Sequence, residues 1–258
     1  MAQLWLVLGA LVALTCRIAH ADGQNERTEG LNLELTPYFW AAGIDGKAQV
    51  GLSRVHFNQS FSDLIQHVDA GFMGLGIVSY DRFVLYGDYD YISLSSDGKV
   101  GRDLVIPSGT KADVDGDLKL RTVAGGYRFD MFGANTLDVM IGARRLSLDN
   151  SFKAFGTTVS SDSRLTDTIV MLRPSLQITD HWRFNPTLSY GVSGDSDTTY
   201  ELMPQMQYQF ADTFAVRFGY KRLYYKENAG PKNTPRFELI DGSLAGLFIG
   251  VGWTFPSH

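Results

Sequence analysis

The amino-acid sequence predicts an all-β fold, namely a transmembrane antiparallel up-and-down β-barrel of about ten strands. Two observations support this prediction. Apolar and polar residues alternate with period two in segment after segment, and short turns alternate with longer polar loops along the chain. Alternation alone is equally typical of a soluble β-sandwich. Large apolar side chains on one face and charged side chains on the other instead indicate a barrel with lipid outside and a polar lumen inside.

The first 21 residues are predicted to be a secretory signal peptide. An apolar run over 4–14 precedes Ala19-His20-Ala21, a small-residue pattern that indicates cleavage after Ala21. The predicted barrel domain, 22–258, contains no cysteine, because Cys16 is the single cysteine of the sequence; disulfide bonds and cysteine ligands are therefore excluded from it. The net charge of −5 argues against a nucleic-acid partner. We expect an exported protein of the cell outer membrane of a Gram-negative bacterium.

Ten strands are expected in the barrel domain. In the segment 199–210, for example, Tyr200 and Leu202 lie on an apolar face while Glu201 and Gln205 lie on a polar face. Because ten is an even number, the first strand begins and the last strand ends on the same side of the membrane, so both termini of the chain are expected on the periplasmic side. The strands are predicted near 31–43, 68–80, 83–94, 113–128, 136–148, 164–178, 182–193, 198–210, 213–225 and 238–255.

The connections between these strands alternate in length. Short turns are predicted around 81–82, 130–135, 179–181 and 211–213, and longer polar loops at 95–112, 149–162, 194–197 and 226–236. Tight periplasmic turns and larger outer loops are typical of outer-membrane barrels. Three prolines fall inside predicted strands. Because proline lacks the amide donor that a closed sheet needs, we expect β-bulges at Pro174, Pro186 and Pro204.

Residues 44–67 are predicted to be an insertion in the first outer loop. A short strand pair around 47–58 is expected to lead into a short helix, since Phe61, Leu64, Ile65 and Val68 recur at helical spacing. Two interpretations of this helix remain open. It either plugs or covers the lumen, or it stabilises the loop by packing on the rim, because periodicity does not specify what a helix packs against.

A terminal-strand pattern connects the sequence to a known group. Gly250, Trp253 and Phe255, with alternating apolar neighbours, look like the signal that the outer-membrane assembly machinery recognises. The chain resembles the small outer-membrane β-barrel proteins of proteobacteria, which include OmpA-type and opacity-type barrels. The segments 36–40, 61–64 and 219–220 are similar to segments of an uncharacterised subgroup. The resemblance implies the fold, the membrane and the assembly machinery as a partner. It implies no reaction and no cofactor.

Charged residues at lumen positions are the candidate functional residues. In a barrel this narrow, side chains fill the lumen, and buried charges must be paired. An internal ion-pair network is therefore favoured over a selective pore lining, and we expect a structural or narrow porin-like role. The predicted inward charges are Glu34, Asp88, Asp90, Asp117, Lys119, Arg121, Asp138, Arg144, Arg173, Arg183, Glu201, Arg217 and Lys221.

An enzymatic alternative is an omptin-like outer-membrane protease. Omptins are ten-stranded barrels that use acidic pairs and a histidine, and Asp88 and Asp90 would share one wall where they could position a water. A histidine could approach only from the insertion, as His56 or His67. We therefore expect no enzyme. No metal is expected either, because the calcium-loop-like run 113–117 has Ala124 where the bidentate acid would be needed.

Two outward arginines are predicted to contact lipopolysaccharide. Arg145 and Arg222 each follow four apolar outward positions on strands that run towards the outer surface. Their guanidinium groups are expected at the outer headgroup level, where they would pair with lipopolysaccharide phosphates. The alternative is that both are ordinary rim charges whose stems lie along the apolar surface.

Overall fold

The first and last strands of the chain pair with each other, and this pairing closes the sheet into a barrel. The computed structural model describes residues 30–50, 53–99, 111–154, 157–229 and 238–256. The predicted signal peptide and its cleavage site lie outside the described residues. Among the residues described, no helix is long and apolar enough to cross a membrane.

The sheet contains thirteen strand segments and one short helical insertion. The insertion consists of helix α1 (Phe61–Leu64) followed by a 3-10 turn (Ile65–His67). The strands are β1 (Leu31–Val50), β2 (Ser53–Gln59), β3 (Val68–Tyr80), β4 (Phe83–Lys99), β5 (Lys111–Asp130), β6 (Thr136–Ala154), β7 (Thr157–Gln177), β8 (Trp182–Phe184), β9 (Thr187–Gly194), β10 (Thr198–Met203), β11 (Gln205–Ala211), β12 (Phe214–Ala229) and β13 (Glu238–Pro256).

Three of these segments do not add a strand to the barrel wall. β2 forms a hairpin with the outer end of β1, β8 and β9 are two parts of one wall strand, and so are β10 and β11. The wall therefore has ten antiparallel strands, and the predicted fold class and strand number are confirmed. Several strands extend beyond their predicted ends. β6 and β7, for example, remain paired as far as Ala154 and Thr157.

The prediction of bulges at the three prolines is wrong. β8 ends and β9 begins around Pro186, and β10 and β11 are separated at Pro204, but the register is the same on both sides of each interruption. Pro174, Pro186 and Pro204 stand opposite one another on three neighbouring strands. Their missing donors are therefore aligned in one row, so the ladder is interrupted without any extra residue that would form a bulge.

Burial alternates along most of the wall strands, as the pattern predicts. Outward positions hold large exposed apolar side chains, such as Phe83 and Leu247, while inward positions are buried. The interior itself has two zones. Most of the charged and amide side chains lie in the part nearer the short turns, together with apolar ones such as Ile77 and Val84, whereas apolar side chains, including Leu120, Leu146 and Leu223, fill the part nearer the long loops. The second zone was not expected, because a polar lumen is usual for barrels of this kind.

The insertion forms the strand pair and the helix that the sequence predicts. β2 pairs with β1 from Ile44↔Gln59 to Val50↔Ser53. Ser60 then caps α1: its hydroxyl accepts a hydrogen bond from the Asp63 amide, and the Asp63 carboxylate accepts one from the Ser60 amide. The Ser60 hydroxyl also donates to this carboxylate, and these hydrogen bonds hold the pKa of Asp63 below its usual range. The helix therefore starts at a fixed point.

Candidate functional site

A buried lysine joins two strands across the interior of the barrel. Lys221 projects inward from β12, and its Nζ lies 2.6 Å from Oδ2 of Asp88 and 2.7 Å from Oδ2 of Asp90, both on β4. Three wall strands, β13, β1 and β3, lie between β12 and β4 in the sheet. Lys221 and Asp90 are 0% exposed and Asp88 is 5% exposed. Two carboxylates on one strand thus share one ammonium group.

Two aromatic side chains of β1 complete the surroundings of this lysine. The Tyr38 hydroxyl lies 2.6 Å from Lys221 Nζ and donates to Asp90 Oδ1 at 2.5 Å. Lys221 Nζ is also 5.0 Å from the centre of the Trp40 ring, which is within the range of a cation–π contact. Because Tyr38 and Trp40 are two positions apart in the sequence, both point to the same side of β1. We call Lys221, Asp88, Asp90, Tyr38 and Trp40 the lysine cluster.

A second ion pair lies between β6 and β10. Arg144 Nη2 is 3.4 Å from Glu201 Oε2, and the same nitrogen donates to Ser189 Oγ at 2.5 Å. Arg144 Nε donates to Thr122 Oγ1 at 3.3 Å. All four side chains are buried. A side chain on β5 and one on β9 therefore hold the guanidinium group in front of Glu201.

Two further clusters lie nearer the short turns. Asp138 on β6 accepts hydrogen bonds from Arg128 Nε at 2.7 Å and from Arg173 Nη1 at 3.1 Å. On the other side of the barrel, Arg217 pairs with Glu34 and donates to Thr36 Oγ1 at 2.8 Å. Arg217 precedes Lys221 on β12, and Glu34 precedes Tyr38 on β1. The Arg217 pair therefore lies on the turn side of the lysine cluster.

The structure does not bring all the predicted lumen charges inside. Asp117, Lys119 and Arg121 face outward, because the buried residues of this part of β5 are Leu118, Leu120 and Thr122. The sequence interpretation assumed that charge marks the lumen face. Here the outer end of β5 has the reverse arrangement, with an apolar interior and a polar exterior.

The outward charges of β5 have partners on the outer surface. Lys119 Nζ is 3.1 Å from Asp149 Oδ2 and 3.6 Å from Asp117 Oδ2. The guanidinium carbon of Arg121 lies 5.7 Å from the centre of the Tyr89 ring. The predicted inward residue Arg183 does lie in the half-buried part of the interior, where its Nη1 donates to Ser175 Oγ at 3.4 Å. The structure gives Arg183 a hydroxyl partner, where the prediction expected an acid.

Sequence reasoning missed several members of the interior network. Arg128 lies an even number of positions from the buried residues Thr122 and Ala124 on β5, so its side chain points inward with theirs. Assigning the correct inward face to β5 would have identified Arg128 as a residue of the interior. Asp167 shares the parity of Arg173 on β7, and its carboxylate accepts hydrogen bonds from the amide and hydroxyl of Ser196, both at 2.8 Å. Tyr38 lies four residues after Glu34 on β1, so its inward direction follows from the sequence, but only the fold brings it to Lys221.

The predicted outward sites lie on the surface. Arg145 is exposed on β6 and stands directly opposite Arg121 of β5 in the register. Arg222 is exposed on β12 and lines a separate polar cleft with Tyr224 and Asp241. The two predicted lipopolysaccharide residues are therefore parts of different surface regions.

The predicted terminal signal lies on the strand that closes the barrel. Trp253 and Phe255 face outward, with ring centres 4.8 Å apart. Gly250 faces inward, where an added Cβ would lie 2.6 Å from Tyr38 Cβ, so the position has no room for a side chain.

Known structures share this architecture. No protein-family model matches the chain, and no curated protein matches it in sequence. The outer membrane protease OmpT from Escherichia coli matches at 9% identity over 91% of this chain and 99% of that chain, with a TM-score of 0.57. The fold is that of the Gram-negative outer-membrane β-barrels. Ail of Yersinia pestis (12% identity, 88% and 99% of the two chains, TM-score 0.35) and OprG from Pseudomonas aeruginosa (12%, 88% and 97%, 0.35) also match.

The two histidines that the protease interpretation invokes, His56 and His67, lie on the insertion. His67 Nδ1 lies 2.9 Å from the Asp63 carbonyl oxygen, and His56 is exposed on β2. His181 packs against Tyr208 next to a short turn. Within the described ranges, no three His, Cys, Asp or Glu side chains form a group that could hold a metal ion. The interior charges that the structure describes include the ion pairs of Lys221, Arg144 and Asp138 given above.

Proposed function

We propose that this protein is an outer-membrane β-barrel with a structural role, whose lumen is closed by cross-barrel ion pairs. The complete burial of the lysine cluster is the observation that supports this proposal. A water-filled channel would wet the side chains that line it, whereas Lys221 and Asp90 are 0% exposed and Asp88 is 5% exposed. The Lys221 side chain spans the space between β12 and β4, where a solute would have to pass.

The location in the outer membrane is supported by the outer surface of the wall. Exposed aromatic and aliphatic side chains surround the barrel, including Phe83, Val123, Ile141, Val192 and Leu247. An exposed apolar surface of this extent is unfavourable in water. Each wall strand pairs with its neighbours around the barrel, so most backbone hydrogen bonds are satisfied internally, as a hydrocarbon environment demands.

Asp88 and Asp90 are better explained as ion-pair partners than as a proteolytic pair. Each has one oxygen within 2.7 Å of the Lys221 ammonium group, and the other oxygen of each lies within 2.9 Å of the Tyr38 hydroxyl. A general base needs a free oxygen within reach of a substrate or a water. The fold likeness to a protease therefore does not extend to these two residues as catalytic groups, and we propose no enzymatic activity for them.

Conductance measurements in a planar lipid bilayer test the closed lumen. The wild-type protein is expected to give no stable conductance steps. The triple variant Asp88→Ala, Asp90→Ala and Lys221→Ala removes the cross-barrel connection and is expected to conduct, which also shows that the preparation inserts into the bilayer. Stable steps of high conductance in the wild-type protein would contradict the proposal.

We also propose a lipopolysaccharide contact on the outer surface, at Arg121 and Arg145. These two arginines face each other on β5 and β6, and like charges at directly opposed positions destabilise a sheet unless an anion lies between them. A lipid phosphate would supply that anion and accept charge-assisted hydrogen bonds from both guanidinium groups.

A further inference from the structure

The barrel wall has a gap between β1 and β3. β1 pairs with β3 from Leu31 to Pro37 and with β2 from Ile44 onward. In the part of the chain that the structure describes, residues 38–43 of β1 have no strand partner on this side. β3 likewise pairs with β4 alone between Val68 and Met73. Between these two strand edges the wall is not closed by strand pairing.

Helix α1 covers the gap only in part. Phe61 packs edge-on against Phe39 of β1, with ring centres 5.6 Å apart. The chain before α1 also approaches β1 closely, since a Cβ added to Gly43 would lie 2.9 Å from the Gln59 carbonyl oxygen. The helix of the first loop therefore packs against the outward face of β1. This contact favours the interpretation in which the helix packs against the barrel over the one in which it plugs or covers the lumen.

A cavity of about 180 Å³ remains between the helix and the wall. Its lining includes Trp40 and Met73, which face inward, Phe39, which faces outward, and Phe61 and Leu64 of the helix. The cavity thus extends from the outer surface of the wall to the apolar zone of the interior. Among the residues that the structure describes, no charged side chain lines it. An apolar cavity offers water too few hydrogen-bond partners to be filled by it.

The surroundings of the cavity indicate what fills it. Phe39 and Phe72 flank the gap and are 49% and 59% exposed on the outward face. They continue the apolar band of the wall, so the medium at the mouth of the cavity is hydrocarbon if the barrel lies in a membrane. An apolar cavity of roughly 150 Å³ is large enough for a benzene ring. The space here therefore fits the end of an alkyl chain.

We propose that this cavity binds the end of a single alkyl chain, which enters between β1 and β3 from the surrounding lipid. The inference rests on the proposed membrane location. The chain end would contact Met73 and the Trp40 ring inside the wall, and Phe39 and Phe61 at the mouth. The source of the chain is either a bilayer lipid or a free single-chain amphiphile such as a fatty acid, and both present the same hydrocarbon.

Trp40 provides the test, because it faces inward and is only 2% exposed. Bromine on an alkyl chain quenches tryptophan fluorescence on contact, and a bromine in the bilayer reaches Trp40 only if the chain enters the gap. The full chain with Trp5→Phe, Trp182→Phe and Trp253→Phe keeps Trp40 as the only one of its four tryptophans. It is reconstituted in vesicles of chain-brominated phosphatidylcholine or, separately, in unlabelled vesicles with ω-bromododecanoic acid.

Two glycine variants separate binding in the cavity from general effects of added bulk. Gly71→Phe places a ring in the cavity, where an added Cβ comes no closer than 3.6 Å to its nearest neighbour, the Tyr91 carbonyl oxygen. Gly87→Phe adds the same ring on the outward face of β4, where an added Cβ meets nothing within 4 Å. Should Gly71→Phe fail to fold, Ala42→Leu narrows the same cavity from β1.

We expect Trp40 to be quenched, with the quenching lost in Gly71→Phe and kept in Gly87→Phe. Quenching by the brominated lipid assigns the chain to the bilayer, and quenching by the bromo-acid alone assigns it to a free amphiphile. Absence of quenching in both arms, or quenching that persists in Gly71→Phe, would overturn the proposal. Iodide is a water-soluble quencher, and it separates the closed-lumen proposal from the alkyl-chain proposal. Quenching of Trp40 by iodide would show that the closed-lumen proposal is wrong, independently of the result with the brominated chains.

Discussion

Lys221 on β12 places its ammonium group 2.7 Å from Oδ2 of Asp90 on β4, and neither side chain is exposed. The contact connects strands that are not neighbours in the sheet. It therefore restricts how far the barrel can open or flatten. Asp88 on the same strand shares the same ammonium group, so the charge of one lysine stabilises two carboxylates.

Replacing this lysine is expected to destabilise the barrel strongly. Lys221→Met leaves two buried carboxylates without a cation, and loss of one partner of a buried pair costs about 3–5 kcal/mol. The urea dependence of unfolding in lipid vesicles measures the loss. Adding Asp88→Asn and Asp90→Asn to Lys221→Met should restore most of the stability. Arg82→Met removes an exposed ion pair with Asp130 and is the matched control, with an expected cost of about 1 kcal/mol or less. A Lys221→Met variant as stable as wild type would refute the ion-pair account.

The opposed arginines give a prediction about lipid. Arg121→Ala combined with Arg145→Ala should lower the amount of lipopolysaccharide that co-purifies with the protein, because it removes both of the opposed guanidinium groups that the proposed contact places beside one phosphate. Arg82→Ala, at the turn end of the barrel, should leave it unchanged. Arg222→Ala is measured separately, since Arg222 lies in a different cleft. Equal amounts of co-purified lipopolysaccharide in the double variant and the wild type would contradict the proposed contact.

The cap of α1 predicts a pH dependence. The folded state lowers the pKa of Asp63, so the carboxylate stabilises the helix above the unfolded pKa, and this contribution is lost as the pH falls through the folded pKa. Protection of 61–67 in hydrogen exchange should therefore persist as the pH falls through about 4, the usual range of an aspartate, and should decrease only below it. Asp63→Asn should abolish this pH dependence. Protection that is already lost above this range would contradict the cap.

The terminal strand gives a prediction about assembly. Phe255→Ala should reduce the amount of folded protein in the outer membrane, because the residue belongs to the predicted assembly signal. Ile249→Ala removes another exposed apolar side chain from the outward face of β13 and should have a smaller effect. Deletion of 256–258 should leave the yield unchanged. Equal membrane yields of Phe255→Ala and wild type would exclude Phe255 from the signal.

The wall of the barrel could be predicted from the sequence because the period-two pattern reflects a physical boundary on every strand. Apolar residues such as Leu247 face outward, and this alternation, together with the turn lengths, was sufficient for ten strands. The phase of β5 was assigned wrongly because charge was taken as the mark of the lumen. Near the long loops the outer surface is polar, so Lys119 and Arg121 lie outside while Leu118 and Leu120 lie inside.

The partners in the interior could not be predicted, because they depend on distances across the barrel. The sequence places Lys221 and Asp90 on inward faces, but 131 residues separate them and only closure of the sheet brings them together. The gap between β1 and β3 could not be predicted from the sequence either. Nothing in the alternation of β1 distinguishes residues 38–43, which lack a strand on one side, from 31–37, which pair with β3.

The central claim is that water does not reach the layer of ion pairs, and labelling of a cysteine at that layer tests it most directly. Thr122 is buried on β5, opposite Asp88 in the register, and contacts Arg144. Thr122→Cys in a Cys16→Ser background provides one thiol there, and Asp180→Cys provides one in an exposed turn. With a charged, water-soluble thiol reagent, we predict that the folded barrel protects Thr122→Cys until it is unfolded, while Asp180→Cys reacts at once. Rapid labelling of Thr122→Cys in the folded protein would contradict a closed lumen.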